Sequence, residues 1–270
     1  FYGKNSEEPL FKLRKMIHSK TLAERKSALD ELFPHVKHDV KGTMAAMDGY
    51  PVTFRTLDPP LHEFVPTRVD EREKLASSLG ISLEELNKRA DSLHENNPMM
   101  GHRGVRLGIT YPEISEMQIR AIFEATAELL QEGKKPFPEI MIPVTCHVNE
   151  INHQYKIVTK VHAEVCEKFG LKKIPHLTGT MIEIPRACLT ADKIAETAQF
   201  FSFGTNDLTQ MGFGFSRDDI GGFLPEYLDK KILPEDPFQS IDQDAIGKLM
   251  EIAVEGGRKT RPDLKDRYLR

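Results

Sequence analysis

Short apolar runs alternate with long amphipathic stretches through the middle of this 270-residue chain, and few folds satisfy that alternation. The runs are Glu139-Ile140-Met141-Ile142-Pro143-Val144, Gly179-Thr180-Met181-Ile182-Glu183-Ile184 and Phe200-Phe201-Ser202-Phe203-Gly204. Strands separated by helices of ~10–20 residues form parallel sheets with right-handed crossovers, either doubly wound or closed into a barrel. No glycine-rich dinucleotide fingerprint follows any strand, so a (β/α) barrel of the TIM type is expected. An earlier β-branched and aromatic run, Tyr50 to Pro60, reads as a buried strand opening into a loop.

The helices carry their own boundaries. Ser82-Leu83-Glu84-Glu85 is a capping box, with Ile81 and Leu86 placed as a hydrophobic staple. Pro112 opens a helix whose stripe is Ile114, Met117, Ala121, Ala125 and Leu129, stopped by Gly133. Another runs from Asn149 with Ile151, Tyr155, Val158, Val165 and Phe169 on one face, ending at Gly170. Thr190 is expected to cap a helix carrying Ile194, Ala195 and Ala198. Residues 6–48 read as two or three short helices broken near Pro34. The last helical stretch, Ala245 to Ala253, should stop at Gly256-Gly257.

Charge excludes some functions. With 37 Lys+Arg against 41 Asp+Glu the net charge is -4, which argues against a non-specific nucleic-acid binder. No run of about 18 apolar residues exists, so no membrane span is expected. Cys146, Cys166 and Cys188 form no CxxC pair and read as free thiols in a reducing compartment, packed as small hydrophobes. Met99, Met100 and Met211 read as packing residues. The chain starts at Phe1-Tyr2-Gly3-Lys4 with no signal pattern, as a piece of something longer would, and residues 266–270 follow no structural pattern.

In a parallel barrel, chemistry gathers where strands end. Arg55 closes one apolar run, Glu183 interrupts another, and Asn206-Asp207 follow a third. A carboxylate among strand-like apolar residues must be paired or metal-bound. For Glu183 the choice lies between an ion pair, for instance with Arg186, and a cation. For Asp207 it lies between a helix cap and the same cation. Adjacent strands lie ~5 Å apart, within reach of one hard ion, so the two together favour Mg2+. Arg55, Arg103 and Arg106 are candidates for an anion clamp, with solvated surface arginines as the alternative. Gly101 and Gly104 allow close backbone approach beside Arg103. His62 and His102 could shuttle protons or serve their loops structurally. A Mg2+ facing several arginines suits a small, doubly anionic substrate.

Four longer segments point further: Thr53 to Phe64, Asn97 to Gly104, Gly179 to Ala187 and Phe201 to Gln210. Through them the chain resembles the phosphoenolpyruvate (PEP)/pyruvate-binding barrel of the pyruvate, phosphate dikinase family, from near the N-terminus to about Lys265. PEP synthase and enzyme I of the sugar phosphotransferase system share a weaker version. The resemblance implies a (β/α)8 TIM-type barrel with Glu183 and Asp207 as Mg2+ ligands. Arg55 and Arg103 would be catalytic and bind the phosphoryl or carboxylate group of PEP. Gly204, Thr205, Asn206 and Asp207 would line the substrate, with Arg106 as a further member. The family interconverts pyruvate, ATP and phosphate with PEP, AMP and diphosphate through a mobile phosphohistidine domain. It also implies a homodimer in the cytoplasm, a plastid or another organelle.

Two departures qualify the resemblance. A Met-Arg-Thr-Glu type strand is missing before the matched region, and a Cys-Gly-Ile-Cys-Gly-Glu type motif is missing after it. One cysteine of that motif is the family's acid for C3 of enolpyruvate. The expectation is therefore a partial barrel over residues 1–265, with residues 1–48 as a helical lead-in and 266–270 outside the family. It would hold about five of eight strands, expose unpaired sheet edges, and be inactive in turnover alone. A PEP synthase or enzyme I-like phosphotransferase, a Mg2+-dependent barrel lyase and a non-catalytic fragment are the alternatives.

Overall fold

Five strands, β1 (Pro51–Arg55), β2 (Phe137–Ile142), β3 (Leu177–Ile182), β4 (Phe200–Gly204) and β5 (Lys265–Leu269), pair in the order in which they occur in the chain. The pairs β2–β3, β3–β4 and β4–β5 are parallel. A doubly wound sheet reverses its order at a switch point. This one never does, and a sheet that grows in one direction is wound like a barrel. The architecture is the expected mixed α/β class, an open five-stranded half-barrel. The computed structural model describes residues 7–58, 60–95 and 97–269, without the side chains of His62 and of residues 267–269. The expectations for the first residues and for the His62 ring lie outside the described residues.

The helices among the described residues are α1 (Glu7–Ile17), α2 (Leu22–Ala46), α3 (Val69–Leu79), α4 (Leu83–Ser92), α5 (Gly104–Thr110) and α6 (Pro112–Gln131), then α7 (Val148–Phe169), α8 (Pro185–Leu189), α9 (Ala191–Ile194), α10 (Thr205–Phe213), α11 (Leu224–Asp229) and α12 (Lys248–Thr260). None is long and apolar enough to cross a membrane. The chain divides into a helical unit (up to Val52, Thr56–Pro138 and Ile157–His176) and a sheet unit (Thr53–Arg55, Glu139–Lys156 and Leu177 onward).

In the sheet unit β3 and β4 are buried on both faces, which is why their sequences read as nearly continuous apolar runs. Ile182, Phe201 and Phe203 pack with Ala187, Ala191 and Ile194 on one face. Met141, Met181 and Phe200 pack together on the other. Gly256-Gly257 does not end α12 as expected. A Cβ at Gly257 would lie 2.6 Å from Phe201 Cε2 and 2.5 Å from Leu264 Cδ2, so this glycine lets the helix approach the sheet. Thr190 stands at the N-cap of α9 as expected, but that helix ends at Ile194; Thr190 also ends α8, and its hydroxyl donates to the Arg186 carbonyl instead of capping α9. β1 is not a buried strand: it lies at the edge of the sheet and its residues alternate between exposed and half-buried. The terminal stretch expected to lack pattern supplies β5, with Arg258 of α12 donating to Asp266 at 2.6 Å.

In the helical unit α2 continues through Pro34. An internal proline costs ~3 kcal/mol. Leu29 and Leu32 before it and Val40 and Met44 after it are all buried, and that packing outweighs the lost bond. Lys37 and Lys41 of α2 both bond Glu128 of α6, at 2.9 and 2.8 Å. Ser82 caps α4 by accepting from Glu85 N, and Ile81 packs with Leu86 as the staple predicts. Helices α6 and α7 end at Gly133 and Gly170, both with positive φ. Met100 is exposed and packs less than expected.

His18 at the end of α1 carries the clearest pH signature. Its Nδ1 bonds the Arg14 carbonyl at 2.9 Å, while Nε2 is buried without a partner. Burial pushes the imidazole below its ordinary value of 6.5, and Arg89, Arg14 and Arg72 add to the effect. The unfolded chain accepts a proton that the folded chain refuses. Stability is therefore full above that ordinary value and falls as pH drops through it. The urea midpoint is expected to be lower at pH 5.5 than at 7.5, with a smaller drop in His18→Leu. An equal drop in both would show that His18 is not responsible, since His176 shifts in the same direction.

Candidate functional site

Alternation along the strands decides which side chains share a face. Thr53 donates to Glu139 at 2.8 Å, so those two lie on one face of the sheet. Two residues further along each strand, Arg55 and Met141 follow them; Met181, Glu183 and Ser202 share that side by the β2–β3 and β3–β4 registers. Arg55 is the last residue of β1 and is exposed. Glu183 is the first residue past β3, level with Gly204 at the end of β4.

Glu183 is 2% exposed. Its Oε1 accepts the Val144 N–H at 2.5 Å. To present that N–H, Val144 adopts φ +60, a left-handed conformation that β-branched residues avoid. Its Oε2 lies against Gly204, where a Cβ would come within 2.4 Å. The glycine is thus a cradle for the carboxylate. Arg186, weighed as its ion-pair partner, donates to the Cys146 carbonyl.

Asp207 lies in the first turn of α10, three residues past the glycine that cradles Glu183. The two carboxylates therefore follow neighbouring strands at the same end of the sheet. Asn206 Nδ2 and Gln210 Nε2 both donate to Asp207 Oδ1, at 3.2 and 3.3 Å. Arg217 sets both amides: its Nη1 donates to Asn206 Oδ1 and its backbone N–H to Gln210 Oε1, each at 2.8 Å. Each amide oxygen is thereby occupied and each NH2 group turned toward Asp207. Gly214, with φ +69, ends α10 and returns the chain to bring Arg217 back. Thr205 is buried beside Asn206, and a cavity of about 210 Å³ opens there, lined also by Thr209, Arg217 and Phe238.

Arg103 and Arg106 belong to the helical unit. Arg103 pairs with Asp58 through Nη2 at 2.7 Å and Nε at 3.2 Å, the pair being almost fully buried. Arg106 Nη1 donates to the Gly101 carbonyl at 2.8 Å. His102 bonds Thr110 through its ring, and its N–H donates to Glu95 at 2.6 Å. Cys166 and Cys188 are buried and Cys146 half-buried, bonded to Glu150. Burial pushes the Cys188 thiol up to about 12, which makes it an inert packing group.

Sequence reasoning missed Val144, Arg217 and Asp58. Arg217 had a usable signal, an arginine just past the glycine that ends the site helix. Asp58 stands in the same segment as Arg55, though nothing local announces Arg103 as its partner. Among the described residues no three His, Cys, Asp or Glu side chains are arranged to hold a metal ion. The two candidate donors, Glu183 and Asp207, are both carboxylates. A wider groove of about 570 Å³, lined by Asn152, His153, Lys156 and Arg261, contains none of these residues.

Comparison with known proteins shows the family of the chain. A family model described as "PEP-utilising enzyme, PEP-binding domain" matches residues 8–261. The chain is 52% identical over 95% of its length to a pyruvate, phosphate dikinase of Clostridium symbiosum, and 51% over 94% to one of Giardia intestinalis. It is 50% identical over 96% to the chloroplastic pyruvate, phosphate dikinase 1 of Oryza sativa. It spans only 28–29% of the length of these relatives.

The cradle is testable by filling it. In Gly204→Ala the added methyl takes the space of the Glu183 carboxylate and strips the Val144 N–H of its acceptor. A loss of ~1–3 kcal/mol is expected, read from the urea midpoint. An unchanged midpoint would mean that Glu183 does not sit there.

Proposed function

The chain belongs to the PEP-utilising enzymes, within their PEP-binding domain, and from that premise we propose that it carries a Mg2+-dependent site for PEP and pyruvate. In this reading the site serves one half of a pyruvate, phosphate dikinase-type reaction. A phosphoryl group passes between PEP and a histidine on another domain, while ATP and phosphate react elsewhere in the whole protein. The observation that carries the reading is the buried Glu183 carboxylate seated against Gly204, a glycine that Asp207 follows by three residues in the next turn.

The residues fit the ion. Both donors are hard carboxylate oxygens, and Mg2+ is commonly held by one or two of these with waters and substrate oxygens completing its shell. Glu183 and Asp207 would hold it, and when bound it supplies Lewis acidity toward the enolate oxygen left when the phosphoryl group departs. Arg55 and Arg103 would neutralise charge spread over the phosphoryl oxygens in a loose transition state. Asn206 would donate from Nδ2, the end that Arg217 turns away from itself. Gly204 and Thr205 would approach the substrate through their backbone at the start of α10, the end of a helix that favours negative charge. The partners in this reading are PEP or pyruvate, a phosphohistidine-bearing domain and a second copy of the protein.

Calorimetric titration of the chain with PEP tests the reading. Binding is expected only with Mg2+ present. Glu183→Ala and Asp207→Ala should each weaken it more than ~10-fold and remove the metal dependence, the scale of one lost charged contact. Arg55→Ala should weaken it while leaving that dependence intact. PEP binding indifferent to Mg2+ and to both carboxylates would sink the proposal.

A further inference from the structure

One peptide group just ahead of Arg103 is gripped from both ends by opposite charges. The Gly101 carbonyl accepts from Arg106 Nη1 at 2.8 Å. The N–H of the same peptide, that of His102, donates to Glu95 Oε1 at 2.6 Å. The Gly101 carbonyl also takes the Arg103 N–H at 3.1 Å, and the Gly101 N–H closes on Pro98 at 3.2 Å. The second carboxylate oxygen of Glu95, Oε2, is buried without a hydrogen-bond partner. It lies where a Cβ at position 101 would sit, only 2.1 Å from that point. A buried carboxylate oxygen left unpaired is costly. A charge placed there at such cost, on one backbone N–H, is a device for orientation.

We propose that the Gly101–His102 peptide plane is a fixed pivot for Arg103, and that Glu95 and Arg106 are the positioning residues that hold it. Asp58 then fixes the guanidinium at the far end of the side chain, through the Nε/Nη2 edge. Backbone and head group are both set before any ligand arrives, so less ordering is left to be done on binding. Arg106 thereby acts on the loop, a different role from the anion contact its sequence position suggests. A side chain at position 101 would displace the Glu95 carboxylate from this position. The inference rests on the reading of Arg103 as a ligand of PEP.

The sign of one substitution separates positioning from simple electrostatics. Removing a negative charge near an anion site should strengthen PEP binding if charge alone matters. Removing the grip should weaken it. The test is titration with PEP and Mg2+ on the whole chain, in Glu95→Ala, Glu95→Gln, Arg103→Ala and the Glu95→Ala/Arg103→Ala double variant. Amide exchange at His102 and the urea midpoint are followed in parallel. Glu95→Ala is expected to bind ~10-fold more weakly, the scale of a hydrogen bond to a charged group, with faster exchange at His102. Glu95→Gln, which keeps the acceptor and drops the charge, should bind at least as tightly as the parent. The double variant should bind no more weakly than Arg103→Ala, because Glu95 acts through Arg103. The inference is overturned if Glu95→Ala binds like the parent, if Glu95→Gln loses as much as Glu95→Ala, or if the two losses add. A neutral Arg103→Ala overturns instead the reading of Arg103 as a ligand, and the inference with it.

Discussion

A carboxylate with 2% of its surface exposed has to be stabilised from inside, and the strand ends of this protein are arranged around that requirement at Glu183. Stranding an ion away from water costs several kcal/mol unless its lone pairs are used. One oxygen takes a backbone N–H and the other is received where β4 has no side chain. Holding Val144 in a left-handed conformation costs ~1–3 kcal/mol. A hydrogen bond to a charged acceptor returns about the same amount, ~1.5–3 kcal/mol. The strain is thus offset by the contact it creates. The same geometry fixes where Asp207 must start, since α10 begins immediately after the glycine.

What could be read from the sequence was what neighbours along the chain decide. The strands β2 to β4 stand out because both of their faces are buried, and α6 and α7 because their apolar stripes end at glycines that adopt positive φ. What could not be read was decided by distant partners. Pro34 stays inside α2 because residues on both sides of it are buried, and Gly257 stays inside α12 because Phe201 and Leu264 occupy the space of a side chain. β1 looked buried because its composition is that of a strand, while its exposure is set by its place at the sheet edge.

The candidate site divides in the same way. Glu183 and Asp207 stood out in the sequence as carboxylates at the ends of apolar runs, and their place at one end of the sheet follows from the strands they end. Their supports did not stand out. Arg217 matters through the orientation of two amides seven and eleven positions away in the chain as it folds back, and Val144 through a backbone angle. Neither leaves a compositional trace. The arginines illustrate the difficulty best: Arg55, Arg103 and Arg106 look equivalent as letters. In the folded chain Arg55 ends an edge strand, Arg103 is paired with a buried aspartate, and Arg106 is turned onto its own loop.

That inequality bears on how an anion would be recognised. The chain carries a net charge of -4, so its overall field does not draw a phosphorylated acid toward it. Arg103 beside Asp58 is close to a neutral pair when seen from a distance, and beyond ~10 Å salt screens what remains. Attraction must then come from contact range, where the direction of each N–H counts for more than the sum of charges. Asp58 lowers the cation's long-range pull but leaves its guanidinium in one plane. Arg217 likewise spends its own donors on Asn206 and Gln210 and thereby decides which way their amide groups point. In both cases local charge is consumed in fixing geometry. Groups fixed in this way select a ligand by the spacing of its oxygens, which in the proposed reading are those of a phosphoryl group and a carboxylate on one small acid.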